Sequence, residues 1–308
     1  MILSHDAAGS GPALVLLHSG VCDRRMWDPQ WEALRAGGYR VVRADLRGFG
    51  ETPAEAGDYD PVADVWRLLD SLGIERAALI GASYGGKLAL AAAARHPERV
   101  TALALLASGL PGRAPSAELR AWGAREDALL NAGDLDGAVA LNVDTWLGPD
   151  ATAETRAAVA DMQRHAFRVQ LAAEAAAEAD EPDRPEADGS QGANEVHATD
   201  QSQEADAAPE TPQAAPEFDL SGIAAPTLAV AGAHDFADHR EIAVDLAGLL
   251  PNARHLELGW AGHLPSLERP EEVTALLLDF LTEAGVTAWA GPRPVDPVRT
   301  AGVTPPLS

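Results

Sequence analysis

Apolar residues follow two rhythms along this chain. Short, mostly apolar runs stand before residue 110: ALVLLH (13–18), YRVVRAD (39–45), RAALIG (76–81) and VTALALLAS (100–108). Two more, PTLAVAG (226–232) and ARHLELG (253–259), come late. Runs of this length with little polar alternation predict strands buried on both faces. Between them, PVADVWRLLDSLG (61–73) and GGKLALAAAARHP (85–97) carry apolar residues at helical spacing, and residues 271–282 form a closing helix. Strands alternating with helices predict an α/β fold, a mostly parallel central sheet covered on both faces. Residues 1–12 leave room for one leading strand and its turn, so the sheet edge there is expected to be short.

The middle of the chain loses the strand rhythm. From 113 to 178 the pattern is helical throughout, which predicts a helical cap inserted before the last strands and dividing the core into residues 1–112 and 218–284. Residues 179–217 hold almost no large apolar side chain and cannot bury enough surface to offset their ordering entropy, so disorder is expected there. The Pro-rich stretch 285–308 is expected to be disordered as well.

Charge changes the picture only locally. The formal net charge is −24, but residues 174–219 hold fourteen carboxylates against the single Arg184, about half of the excess. The remainder is mildly acidic, which disfavours nucleic acid and anionic membrane as partners. The acidic run itself reads as a solvated linker. Cys22 is the sole cysteine, so no internal disulfide forms and a reducing compartment fits. No run reaches the ~18 apolar residues of a spanning helix and the N-terminus lacks a secretory pattern, so the expected location is cytoplasmic. The oligomeric state is not legible.

Candidate chemistry centres on ALIGASYGGKLAL (78–90), where a strand must turn into a helix almost at once. Gly81, Gly85 and Gly86 give the room that such a reversal needs, and Ser83 stands at its apex. Gly-x-Ser-x-Gly is the nucleophile-elbow spacing. A hydroxyl is a weak nucleophile, so it has to project clear of its neighbours, near a base and near donors for a developing oxyanion. An acid and a histidine follow in the required order. Asp235 lies just past the strand 226–232, with Asp238 as its rival, and His263 lies just past the strand 253–259, with His234, His239 and His255 as rivals. Both fall at the carboxyl edge of the sheet, where open α/β sheets hold ligands.

Over nearly its whole length, through LLHSG, RADLRGFGETP, GASYGG, RHPERV, AGAHD and AGHLPSLERPEEV, the chain resembles the α/β-hydrolase superfamily. The resemblance implies the α/β-hydrolase fold, with Ser83 as nucleophile, His263 as general base and then acid, and Asp235 as its orienting partner. It implies an oxyanion hole from the backbone N–H groups of Tyr84 and of Gly20, with Val21 as second choice, because His18-Ser19-Gly20 stands where relatives read His-Gly-x. Arg47, Gly48 and Gly50 match a structural loop. The framework is most similar to small bacterial hydrolases near 3-oxoadipate enol-lactonase. A serine at the elbow disfavours the dehalogenases and epoxide hydrolases, which use a carboxylate there.

The expected activity is therefore hydrolysis of a small-molecule ester or lactone through an acyl-enzyme, with no metal or organic cofactor. Carbon–carbon bond hydrolases or lyases, acyltransferases, haloperoxidase-like enzymes and ligand sensors with a retained triad share the scaffold and stay open. Val21, Trp122, Trp146 and Leu264 are the expected pocket residues, though the tryptophans also suit cap packing. His234, Asp235 and His239 are close enough in sequence to suggest a metal site but lack a third well-placed ligand, so none is expected. Cys22 reads as a small buried hydrophobe and His18 as a hydrogen-bonded structural residue.

Overall fold

The computed structural model describes residues 1–54, 59–179 and 219–287. In chain order the elements are β1 (His5–Ala8), β2 (Ala13–Leu17), α1 (Asp28–Ala36), β3 (Arg40–Ala44), α2 (Pro61–Ser71), β4 (Ala77–Ala82), α3 (Tyr84–Arg95) and β5 (Val100–Leu106). The helices α4 (Ala117–Asn131), α5 (Leu135–Trp146) and α6 (Ala153–Ala179) follow. The chain then returns to the sheet with β6 (Thr227–Gly232), α7 (Ala237–Leu249), β7 (Ala253–Leu258), α8 (Pro265–Glu268) and α9 (Pro270–Glu283). Among the described residues the strands form one seven-stranded sheet in the order β1-β3-β2-β4-β5-β6-β7. Every pairing is parallel except β1 with β3, which is antiparallel.

Alternation along each strand builds two cores. Leu14, Leu16, Val41, Ile80, Ala104 and Val230 face one side with α1, α9 and the inserted helices, while Val15, Leu17, Val42, Leu79, Leu105 and Ala229 face the other with α2, α3 and α7. This two-sided burial is why the strands read as continuous apolar runs. Helix starts are set locally. Asp60 accepts the N–H groups of Val62 and Ala63 ahead of α2, with Pro61 in the first turn, and Ser116 caps α4 through Leu119 N–H.

Residues 180–217 of the acidic stretch and 288–308 of the tail, both expected to be disordered, lie outside the described residues. The tail starts later than residue 285. Val286 is buried and its carbonyl accepts the Tyr39 hydroxyl at 2.9 Å, which fastens the end of α9 to the sheet. Among the described residues no helix is long and apolar enough to cross a membrane.

Candidate active site

Ser83 joins β4 to α3 at φ 50°, ψ −114°, one of two non-glycine residues with positive φ among those described. A non-glycine residue in this region is strained, by roughly 1–3 kcal/mol. The surrounding glycines make the turn possible. A Cβ on Gly81 would lie 2.2 Å from the Gly85 carbonyl oxygen, one on Gly85 2.3 Å from that of Leu17, and one on Gly86 2.7 Å from Ser108 Oγ. Two backbone bonds fix the apex: Ser83 N–H to the Leu106 carbonyl at 2.8 Å, and Gly85 N–H to the His18 carbonyl at 3.0 Å. The second bond draws the loop after β2 against the start of α3, so a Cβ on Gly20 would come within 3.7 Å of the Tyr84 Cβ. His18 is spent on structure: its ring nitrogens meet the Ser19 carbonyl at 2.8 Å and the Leu46 N–H at 2.9 Å.

Asp235 and His263 meet at the ends of β6 and β7. Asp235 Oδ2 lies 2.7 Å from His263 Nδ1, and Oδ1 accepts the Phe236 N–H at 2.7 Å. Both side chains are buried. Burial pushes the Asp235 carboxyl upward, but the charges of His263 and His239 and the two hydrogen bonds outweigh it and leave the pKa below the ordinary value. His263 Nε2 is buried without a hydrogen-bond partner, so it is not bonded to Ser83 Oγ in this state. Asp238, the rival acid, is engaged elsewhere: its Oδ1 accepts the Ser116 N–H at 2.7 Å at the start of α4.

The histidine loop is held from behind. Glu268 on α8 accepts N–H groups from Gly262 at 3.0 Å, Leu264 at 3.3 Å and, from the end of α5, Gly148 at 3.0 Å. His263 N–H bonds the Trp146 carbonyl at 2.9 Å, and the Trp146 indole packs on the His263 ring with centroids 4.5 Å apart. The inserted helices are thereby stitched to the histidine.

The chain matches the alpha/beta hydrolase fold family over residues 12–270. It belongs to that family. Among curated proteins, the provisionally named carbamate hydrolase RutD of Caulobacter sp. (strain K31) is 29% identical, with 91% of this chain and 96% of the relative covered. Among solved structures, the enol-lactonase of Burkholderia xenovorans LB400 superposes with TM-score 0.64 at 26% identity over 91% of this chain and 96% of that one. A thermophilic esterase of Thermogutta terrifontis gives TM-score 0.69 at 24% identity over 92% and 93%, a likeness of fold alone.

Within this hydrolase fold, Ser83 and Tyr84 open onto a tight cleft of about 50 Å³. Lys87, Leu110, Leu119, Asp238, His239 and Ile242 help to line it. None of the four expected pocket residues does. Val21 and Leu264 are buried in the core. Trp122 and Trp146 stack edge to face at 4.7 Å and give their indole N–H groups to Thr145 and Asn142. The inward positions of the inserted helices serve packing because their aromatics satisfy one another.

His239, which the sequence offered as a rival to His263 and as part of the His234, Asp235 and His239 grouping, stands at this cleft. It is buried, its ring lies 4.4 Å from that of His263, and the Ser108 backbone approaches its ring nitrogens without closing a full hydrogen bond. Burial lowers its pKa to about 4, against the pull of Asp235. Its spacing of four from Asp235 was the available signal. One ligand atom each from Asp235, His239 and His263 lie within 4.8 Å of one another, the one such trio among the described residues. His234, the neighbour that the spacing also suggested, is exposed instead.

Proposed function

We propose that the protein hydrolyses a small-molecule carboxylic ester or lactone through an acyl-enzyme on Ser83. The observation that carries this reading is the buried Asp235–His263 pair, bonded at 2.7 Å through Nδ1. This pairing fixes the tautomer that leaves Nε2 as the basic nitrogen. His239, packed on His263, lines the same cleft as Ser83, which brings acid, base and hydroxyl to one edge of the sheet.

In the reaction, His263 Nε2 takes the Ser83 proton as Oγ attacks the substrate carbonyl. The oxyanion is held by the backbone N–H groups of Tyr84 and Gly20, which the Gly85–His18 bond keeps adjacent. His263 returns the proton to the leaving alkoxide, then activates a water that releases the acid. Closing to a Ser83–His263 hydrogen bond accompanies substrate binding, as is common for catalytic contacts that are loose without ligand. The hydrolase and lactonase names of the relatives support acyl chemistry, and the RutD likeness adds carbamates to the substrates worth testing.

The test is a panel of p-nitrophenyl esters, small lactones and aryl carbamates, run beside Ser83→Ala. Turnover that disappears in the variant is the expected result. Equal rates in both proteins would refute the acyl-enzyme, and a Ser83 inert to a fluorophosphonate probe would refute its activation.

A further inference from the structure

We propose that His239 and His263 together form a binding site for a zinc-type divalent cation that reversibly blocks the hydrolase. The two imidazoles come from different elements, α7 and the loop after β7, and pack with ring centroids 4.4 Å apart and planes inclined by 57°. Nε2 on His263 is buried with no hydrogen-bond partner, and the Ser108 backbone approaches the ring of His239 without closing a full hydrogen bond. Buried polar atoms are ordinarily paired, and leaving one unpaired costs on the order of 1–3 kcal/mol. One lone pair from each ring, Nε2 of His263 and a single nitrogen of His239, makes a donor pair that a borderline cation would satisfy.

The other nitrogen of His263 strengthens the case. His263 Nδ1 is held by the Asp235 carboxylate at 2.7 Å. A carboxylate behind one ring nitrogen is the usual outer partner of a zinc-ligating histidine; it fixes the ring and raises the basicity of the other nitrogen. Entry is through the cleft that His239 and Ser83 share.

Geometry sets the strength and the consequence. Two nitrogens about 2 Å from one tetrahedral zinc stand roughly 3.3 Å apart. One donor atom each from Asp235, His239 and His263 lies within 4.8 Å of the others, and the coordination positions that two imidazoles leave open fall to water. A site completed by two imidazoles is a reversible one, unlike a closed four-ligand structural zinc site. Imidazole donors favour zinc, copper or nickel over magnesium and calcium. Occupancy takes the Nε2 lone pair that would accept the Ser83 proton. The inhibitory half of the proposal rests on reading Ser83 as the nucleophile, whereas the binding half does not.

The experiment uses the full, metal-stripped chain and two readouts: the rate of fluorophosphonate labelling of Ser83 with added Zn²⁺ or Mg²⁺, and the visible absorption of added Co²⁺. The wild type is expected to label about tenfold more slowly or worse in micromolar Zn²⁺, an apparent change near 1.4 kcal/mol. Equal Mg²⁺, which would equally satisfy the acidic surface, should leave labelling unchanged. In His239→Gln and His239→Asn, each measured against its own metal-free rate, the Zn²⁺ effect should fall below about twofold, and the Co²⁺ bands of the wild type should be absent. Wild-type labelling indifferent to Zn²⁺, or protection equally strong in both variants, would overturn the site. A wild type that never labels would refute the serine mechanism, and the Co²⁺ spectrum would still decide whether the metal binds.

Discussion

Acid should unfold this protein partly through one residue, His239. In the folded chain its pKa is about 4, driven down first by burial. In the unfolded chain it returns to about 6.5. The sign follows directly. Between these values the unfolded state binds a proton that the native state refuses, so stability rises with pH through the window and is lost as pH falls. Above about pH 7 both states are neutral at this site and it contributes no slope. At pH 5.5 the loss relative to pH 8 is about 1.4 kcal/mol, and at pH 4.5 about 2.5 kcal/mol. These are large shares of the 5–15 kcal/mol that holds an ordinary domain together.

The perturbation is His239→Gln, which keeps a polar side chain of similar reach and removes the titration. Urea unfolding of both proteins from pH 4.5 to 8 gives the difference in stability at each pH. Carboxylates remote from His239 cancel in that difference, whereas Asp235, whose pKa His239 helps to lower, shifts with the substitution and is followed separately in His239→Gln/Asp235→Asn. The wild-type-minus-variant difference should be flat above pH 7 and fall by about 2.5 kcal/mol on the way to pH 4.5. A difference constant to within about 0.5 kcal/mol across the range would mean that the native structure accommodates a protonated His239, and the account of its burial would be wrong.

Three further outcomes are expected. Glu268→Ala strands the N–H groups of Gly148, Gly262 and Leu264 and should cost on the order of 3–5 kcal/mol in urea unfolding, with slower fluorophosphonate labelling because the His263 loop loosens. Glu268→Gln, which keeps one acceptor oxygen, should lose clearly less. Ser83→Gly removes the strained φ of 50° and should raise stability by about 1 kcal/mol while abolishing labelling; an unchanged or lower melting temperature would argue against strain at the elbow. Asp235→Asn favours the wrong His263 tautomer and should lower kcat by roughly 10³–10⁴ with KM little changed, and a drop under tenfold would remove Asp235 from the mechanism.

What the sequence disclosed and what it hid divide along a physical line. The strands were legible because parallel, doubly covered strands must be apolar on both faces, and 77–82 or 227–232 have no other way to be buried. The elbow was legible because its glycines are forced: the space for a Cβ at Gly81 or Gly85 is filled by backbone oxygens. Signals of this kind are local, since the residue type answers to its own few neighbours. The choice between Asp235 and Asp238 needed one tertiary fact, that Asp238 is held by the Ser116 N–H across 122 residues of chain. The cleft was misread for the same reason. An aromatic at helical spacing is equally suited to lining a pocket or filling a core, and Trp122 and Trp146 fill one because they meet each other and Trp146 also meets His263. His239 is the sharpest case. Its spacing of four from Asp235 is the one local mark it carries, and the rest of its meaning comes from the ring of a residue 24 positions later. A histidine pressed against the buried ring of His263 has to be neutral to be tolerated there, and that neutrality makes it an acid-labile element of the fold.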